Sequence, residues 1–332
     1  MTIKVGIIGT GSFARVHGQI LSKLEEVNVT AVCGTSLAKA EKFALEFDRA
    51  NGYENIEHML DSEKLDAIYI CVPPFAHGEL EQTIIEREIP FFIEKPIGTE
   101  INIPSDILSN VVSKKLITSV GYHHRYSDGT VRLKEQLQGR QLAMASGYYM
   151  GSMPKVAWWR KETLSGGQFI EQTTHIVDLL RYSVGEVKEV YAAYSQQVMH
   201  QIDNQVTVPD VGTVTFKLEN GAIATISNTC ALPEGYKVGL TLFTNKGVLE
   251  WSPQGLKDLQ QNQIVETKNK SNPYELENRA FIHAVRTGDR SGILSDYADA
   301  WELQLITVTA ARSAQLGLPI QIADAKNINY LK

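Results

Sequence analysis

The sequence predicts an α/β protein with a doubly wound parallel sheet at its N-terminal end, followed by an α+β domain built on a large, mostly antiparallel open sheet. Three observations predict it. Short apolar strands alternate with amphipathic helical segments through about residue 122. A glycine-rich turn, Gly9-Thr10-Gly11-Ser12-Phe13-Ala14, stands between the first strand and the first helix. Beyond about Ser127 the alternation gives way to one helix and then to strand-rich sequence, with Asn220-Gly221 as a two-residue hairpin signal. Domains are therefore expected at 1–122 and 123–332, with the C-terminal helix able to pack back on the first.

Bulk composition narrows the function. The 332 residues are 43% hydrophobic and 21% charged, enough for two separate cores. A net charge of -6 argues against nucleic acid or an anionic membrane surface as partner, because both call for a basic face. No apolar run approaches the ~18 residues of a membrane span, and Met1 to Gly9 leads directly into a strand, so a cytoplasmic protein is expected. Cys33, Cys71 and Cys230 are odd in number and widely spaced; they read as small core residues of a reducing compartment.

The first strand is Ile3 to Ile8, and the helix after it extends to about Leu24. Between them Gly9 permits a tight turn, Gly11 lets the backbone approach a pyrophosphate, and small Ala14 allows close helix packing. The helix N-terminus offers unpaired N–H donors, so Gly9, Thr10, Gly11, Ser12 and Phe13 are candidate cofactor contacts of a Rossmann domain that binds NAD(P). The second strand, Val27 to Cys33, ends at Gly34-Thr35-Ser36, where NAD-preferring proteins usually carry an acid. Thr35, Ser36 and Lys39 could instead receive a 2′-phosphate, which leans the cofactor towards NADP. Thr35 and Ser36 would equally cap a helix starting near Leu37, and both roles can hold together.

A third buried strand, Ala67 to Val72, stops at Pro73-Pro74-Phe75-Ala76-His77, ahead of a helix from about Phe75 to Arg87. Pro73 and His77 are candidate cofactor contacts, although a histidine in a first helical turn is also a common structural residue. Phe91-Phe92-Ile93 is a strand buried on both faces that ends abruptly in Glu94-Lys95-Pro96. Ligands of open α/β sheets bind at the carboxyl ends of strands, which places Glu94 and Lys95 where one would lie; Pro96 restricts the backbone of Lys95. The plainer alternative is a solvated turn with a surface ion pair. A helix near Pro104 to Lys115 leads to a last strand, Ile117 to Gly121, and to the cluster Tyr122-His123-His124-Arg125-Tyr126. Adjacent histidines cannot both point one way, so no metal site is expected; Tyr122 stands as a substrate contact and His123 as a cofactor contact.

In the second half, candidate strands are 142–150, 187–198, 211–217, 222–229, 238–243 and 247–251. One segment breaks the pattern. After Trp158-Trp159-Arg160 and Gly166-Gly167, the residues Glu171, His175 and Asp178 stand at i, i+4 and i+7, one face of a helix. A carboxylate and an imidazole on one face are parts for proton transfer near neutral pH; a solvated polar face with an intrahelical ion pair is the alternative.

Together these pieces resemble the Gfo/Idh/MocA oxidoreductases, the family of glucose-fructose oxidoreductase and inositol dehydrogenase. The matching residues are Gly9 to Ala14, Glu94-Lys95-Pro96, Gly121 to Tyr126, Gly166-Gly167 with Glu171 to Asp178, and Tyr274 to Phe281 with Gly288-Asp289. The resemblance implies NAD(P)-linked oxidation or reduction of a secondary alcohol on a sugar or cyclitol, and a homodimer or homotetramer formed through the C-terminal sheet. It implies that Lys95 holds the reacting hydroxyl and that His175 exchanges its proton. Asp178 and Tyr236 fall where inositol dehydrogenases contact substrate, and Trp159-Arg160 resembles a pair that reaches the nicotinamide end of the cofactor. Inositol dehydrogenases carry Asp where Glu171 stands, so Glu171 either orients His175 or meets a different hydroxyl. Other readings are a dihydrodiol dehydrogenase, an enzyme with tightly held cofactor that oxidises its substrate transiently, and a non-catalytic NAD(P)-responsive sensor or scaffold.

Overall fold

Strands β1 (Ile3–Ile8), β2 (Val27–Cys33), β3 (Asn51–Tyr53), β4 (Ala67–Ile70), β5 (Phe91–Ile93) and β6 (Thr118–Val120) form a wholly parallel sheet in the order β3-β2-β1-β4-β5-β6. The structure is a computed structural model and describes residues 2–326. Its strand order reverses beside β1, which creates a switch point at the carboxyl ends of β1 and β4. β4 and β5 are buried along their whole length, as a parallel sheet covered on both faces requires.

Two compact units make up the chain. The first takes the described residues up to Gly98, together with Ile103–His123 and Pro273–Trp301; the second takes Thr99–Asn102, His124–Asn272 and the described residues from Glu302 on. The division expected at residue 122 is thereby amended, since Pro273–Trp301 belongs with the first unit. The physical reason is burial: Phe281 and Ile282 of the helix Pro273–Thr287 lie in the same core as Val5, Ile7, Tyr69 and Phe92. Tyr69 and Phe92 stack at 4.9 Å, and Phe281 meets both rings edge-on at 5.5 and 6.0 Å. Each such side chain contributes about 1.5–3 kcal/mol on burial. The last six residues of the domain expected at 123–332 lie outside the described residues.

The second unit carries β7 (Leu142–Met150), β8 (Val187–Ser195), β9 (Val211–Leu218), β10 (Ile223–Thr229), β11 (Lys237–Thr244), β12 (Gly247–Ser252), β13 (Gly255–Gln260), β14 (Gln263–Lys268) and β15 (Ile320–Gln321). Their order is β14-β13-β12-β11-β7-β10-β9-β8-β15, antiparallel except for the β7/β10 pair. The helix Thr174–Val184 lies on one face, so close that a Cβ at Gly147 would stand 2.6 Å from Ile176 Cγ2. The opposite face exposes Phe243, Met144 and Ile223, which are register neighbours across β11, β7 and β10.

Several element boundaries move, among them the strand expected at Ala67 to Val72, which ends at Ile70, and the helix expected near Pro104 to Lys115, which spans Asn102–Ser113. The first helix ends at Leu21 instead of Leu24. The helix expected from Phe75 divides into a single turn, Pro74–Ala76, and a helix Glu79–Glu86, because Gly78 between them adopts φ +119. The strand expected at 187–198 stops at Ser195, where Asp210 accepts the next amides, of Gln197, Val198 and Met199, at 2.6–2.8 Å and turns the chain away. No helix among the described residues is long and apolar enough to cross a membrane.

Candidate active site

At the switch point Gly9 is irreplaceable. Its φ is +107, and a Cβ there would lie 2.2 Å from the carbonyl oxygen of Cys71. Gly11 differs: it caps the helix Ser12–Leu21 without a side-chain bond, and a Cβ on it would meet nothing within 4 Å. Open space beside a glycine at a ten-residue helix N-terminus fits a pyrophosphate, with the first-turn amides as donors. Phe13, 43% exposed, flanks this turn.

At the end of β2, Ser36 accepts from the Lys39 amide at 3.4 Å and caps the helix Leu37–Ala44. Lys39 Nζ donates to Thr35 Oγ1 at 3.1 Å, which gathers the three candidate residues into one group. An acid that sequence reasoning did not single out is also here: Glu54, just beyond β3, accepts from the Leu37 amide at 3.2 Å. Its signal was its place directly after a strand next to β2.

Beyond β4, Pro73 leads into the Pro74–Ala76 turn. His77 is buried, its Nδ1 2.5 Å from Glu81 Oε1, while the Gly78 amide donates to the other Glu81 oxygen. Beyond β5, Glu94 is buried and lies over Gly121, where a Cβ would come within 2.9 Å of its Oε2. The Asn278 side-chain amide lies against His17 Nδ1, with Nδ2 at 2.9 Å and Oδ1 at 3.2 Å, and His17 Nε2 stands 2.7 Å from Glu94 Oε1. Half-buried Lys95 follows, with a cis peptide to Pro96. His17, Glu277 and Asn278 escaped the sequence reading; the last two stood within the Tyr274 to Phe281 segment it had marked. His123 stacks on Tyr274 at 4.0 Å, and Tyr122 is buried.

In the second unit Gly166 and Gly167, at φ +73 and +80, turn the chain into a π-helical stretch, Phe169–Thr173, that precedes the α-helix Thr174–Val184. The single α-helix assumed for the Glu171, His175, Asp178 spacing is thus corrected: the i→i+5 turn changes the period at Glu171. Each of the three side chains has a defined contact. Glu171 Oε2 accepts from the Trp159 indole at 2.7 Å. His175, 8% exposed, meets the ring of His124 at 5.0 Å, and His124 meets Trp251 at 5.0 Å. Asp178 receives Arg125 Nη2 at 2.5 Å and Nε at 3.0 and 3.1 Å. Trp159 is buried, Arg160 pairs with Asp203 at 2.7 Å, and Tyr236 is exposed.

Strand order, glycine turn and open helix terminus define a dinucleotide-binding Rossmann protein. Residues 3–122 match the family described as "Oxidoreductase family, NAD-binding Rossmann fold", and residues 133–250 match "GFO/IDH/MocA C-terminal domain". The chain belongs to the Gfo/Idh/MocA oxidoreductase family. It is 23% identical over 343 residues to the uncharacterized oxidoreductase YrbE of Bacillus subtilis, covering 99% of each chain. It is also 23% identical to the myo-inositol 2-dehydrogenase of Thermotoga maritima over 250 residues, 74% of each. Among solved structures, the WlbA dehydrogenase of Bordetella pertussis, in complex with NADH and UDP-GlcNAcA, shares the fold at TM-score 0.83 and 20% identity, over 96% of this chain and 97% of that one.

Proposed function

We propose that the protein is an NAD(P)-dependent dehydrogenase or reductase that moves a hydride between nicotinamide and a secondary alcohol or ketone of a sugar, cyclitol or related polyol. The observation that carries the reading is the setting of Lys95: it follows a buried carboxylate at the carboxyl end of β5, on the ligand edge of a sheet whose Gly11 side is open. The relative named a myo-inositol 2-dehydrogenase supports the substrate class.

Bound nicotinamide supplies the hydride acceptor or donor. Gly9 to Phe13 would hold the pyrophosphate, and Pro73, His77, Glu94, His123, Trp159 and Arg160 would be further cofactor contacts. As hydride leaves carbon, charge builds on the attached oxygen; Lys95 stabilises it by a charge-assisted hydrogen bond. His175 takes the proton, a task suited to imidazole, whose unperturbed pKa is ~6.5. Glu171, held by Trp159, presents its carboxylate to a second hydroxyl, with Tyr122 and Tyr236 as further substrate contacts. Asp178 anchors Arg125 and is a further substrate contact.

Three finer assignments belong to the same reading. The Thr35, Ser36 and Lys39 group favours NADP, against which Glu54 is the local opposing charge. The exposed row Phe243, Met144 and Ile223 is the face through which a homodimer or homotetramer forms. The compartment is the cytoplasm, in keeping with three free cysteines.

The test follows nicotinamide reduction across cyclitols, aldoses and sugar derivatives with NAD⁺ and NADP⁺ in parallel, and His175→Ala as control. Turnover that the variant loses supports the reading; silence across the panel with cofactor binding intact would overturn it in favour of a sensor.

A further inference from the structure

Behind Lys95 lies a buried group of side chains that hydride transfer does not use. The helix Ser12–Leu21 brings His17, the end of β5 brings Glu94, and the helix Pro273–Thr287 brings Glu277. One nitrogen or oxygen of each lies within 4.8 Å of the others. His17 and Glu277 have no exposed surface, and Glu94 has 5%. Neither Glu277 oxygen has a hydrogen-bond partner among the described residues, nor does the Tyr69 hydroxyl.

Two carboxylates this close in an apolar setting do not both ionise readily, and the hydrogen-bond pattern tells them apart. Glu94 Oε1 lies 2.7 Å from His17 Nε2 whereas neither Glu277 oxygen has a partner among the described residues, so Glu94 is the carboxylate placed to pair with the imidazole. We propose that Glu277 is a positioning residue for the Lys95 turn: a neutral buried acid whose proton leaves Glu94 as the sole anionic partner of His17, fixing the backbone from Glu94 to Pro96. The inference rests on the reading of Lys95 as the group that holds the reacting hydroxyl.

The groups that face this acid agree in direction. Burial, and then the charge of Glu94, push the Glu277 carboxyl well above the usual carboxylate range. From β4 and its end, Tyr69 and Cys71 face it; burial first raises both, the Glu277 charge raises Tyr69 further, and the charges of Glu94 and then Glu277 raise Cys71. From its own helix, Tyr274 borders the His17 ring at 6.2 Å.

Rising pH should therefore ionise Glu277, set two anions against one imidazole and loosen the Lys95 turn. The folded state holds a proton that the unfolded chain releases above the ordinary carboxyl range. Stability is thus lost as pH rises from that range towards the raised folded value.

The experiment compares wild type with Glu277→Gln, a neutral isostere, by infrared difference spectroscopy, by melting temperature against pH and by the pH profile of kcat. The expected results are a buried carboxylic-acid band present in wild type alone, and a Tm advantage of Glu277→Gln that grows between about pH 5 and pH 8. The alkaline fall in kcat is expected only in wild type, with KM unchanged. Absence of the acid band would overturn the proposal, and so would superimposable kcat profiles. Lys95→Met, run in parallel, separates the two readings. If it loses turnover while the profiles coincide, only the Glu277 inference fails; if it retains turnover, the assignment of Lys95 fails and carries the inference with it.

Discussion

Trp159 donates its indole N–H to Glu171 across 2.7 Å, a bond made inside the turn where the helix period changes from π to α. One oxygen of the carboxylate is thereby held in place. Trp159→Phe keeps the packing and removes the donor; unfolding free energy should fall by about 1–3 kcal/mol. A double-mutant cycle with Glu171→Gln, read by kcat/KM, should give a coupling of at least ~0.5 kcal/mol. Additive losses would show that the bond does not orient Glu171.

His175→Ala and Lys95→Met should each lower turnover by ~10² or more and leave nicotinamide affinity nearly unchanged. Stopped-flow turnover and fluorescence titration of reduced cofactor measure the two quantities separately.

Replacing Arg125 by Met removes the guanidinium paired with the Asp178 carboxylate, which is 1% exposed. Urea unfolding should show a loss of about 3–5 kcal/mol, and adding Asp178→Asn should restore much of it by removing the uncompensated charge.

The two glycines of the turn should separate stability from binding. Gly9→Ala forces a Cβ against the Cys71 carbonyl at positive φ and should destabilise the fold. Gly11→Ala meets nothing, so its unfolding free energy should stay within ~0.5 kcal/mol of wild type while affinity for NAD(P)H drops about tenfold or more as the methyl enters the pyrophosphate space. Unchanged affinity in Gly11→Ala would move the phosphates elsewhere.

Asp210 gives the acid limb of stability. Burial opposes its ionisation, but the amides of Met199, Gln197 and Val198 outweigh that and hold its carboxyl below the usual range. A depressed folded value adds stability above the unfolded carboxylate pKa and loses it as pH falls through the folded one. Asp210→Asn should therefore cost about 1–3 kcal/mol at neutral pH and progressively less under acid, measured by denaturant midpoints across pH.

Much of this architecture could be read in advance because the signals were local. Gly9 and Gly11 declare themselves by their place between a strand and a helix, and Glu94-Lys95 by interrupting a buried run. Six of the strands in the second unit showed their alternation. The pairs that finish the site were not legible, because they join residues far apart in sequence: His17 with Glu94 and Asn278, Arg125 with Asp178, and Trp159 with Glu171 across a π-turn that helical periodicity cannot reveal. The strands Gly255–Gln260 and Gln263–Lys268 escaped notice as well, the second being largely exposed and without a clear alternation of apolar and polar residues.

The return of Pro273–Trp301 to the first unit bears on biosynthesis. A ribosome making this chain releases the six strands of the nucleotide-binding sheet before Phe281 and Ile282, which complete its core and emerge only after the strands of the second sheet through Lys268 have been made. Until then the nascent unit exposes part of its apolar interior and lacks Asn278 as the hydrogen-bond partner of His17. Maturation of the nucleotide-binding sheet is thereby timed by the synthesis of Pro273–Trp301.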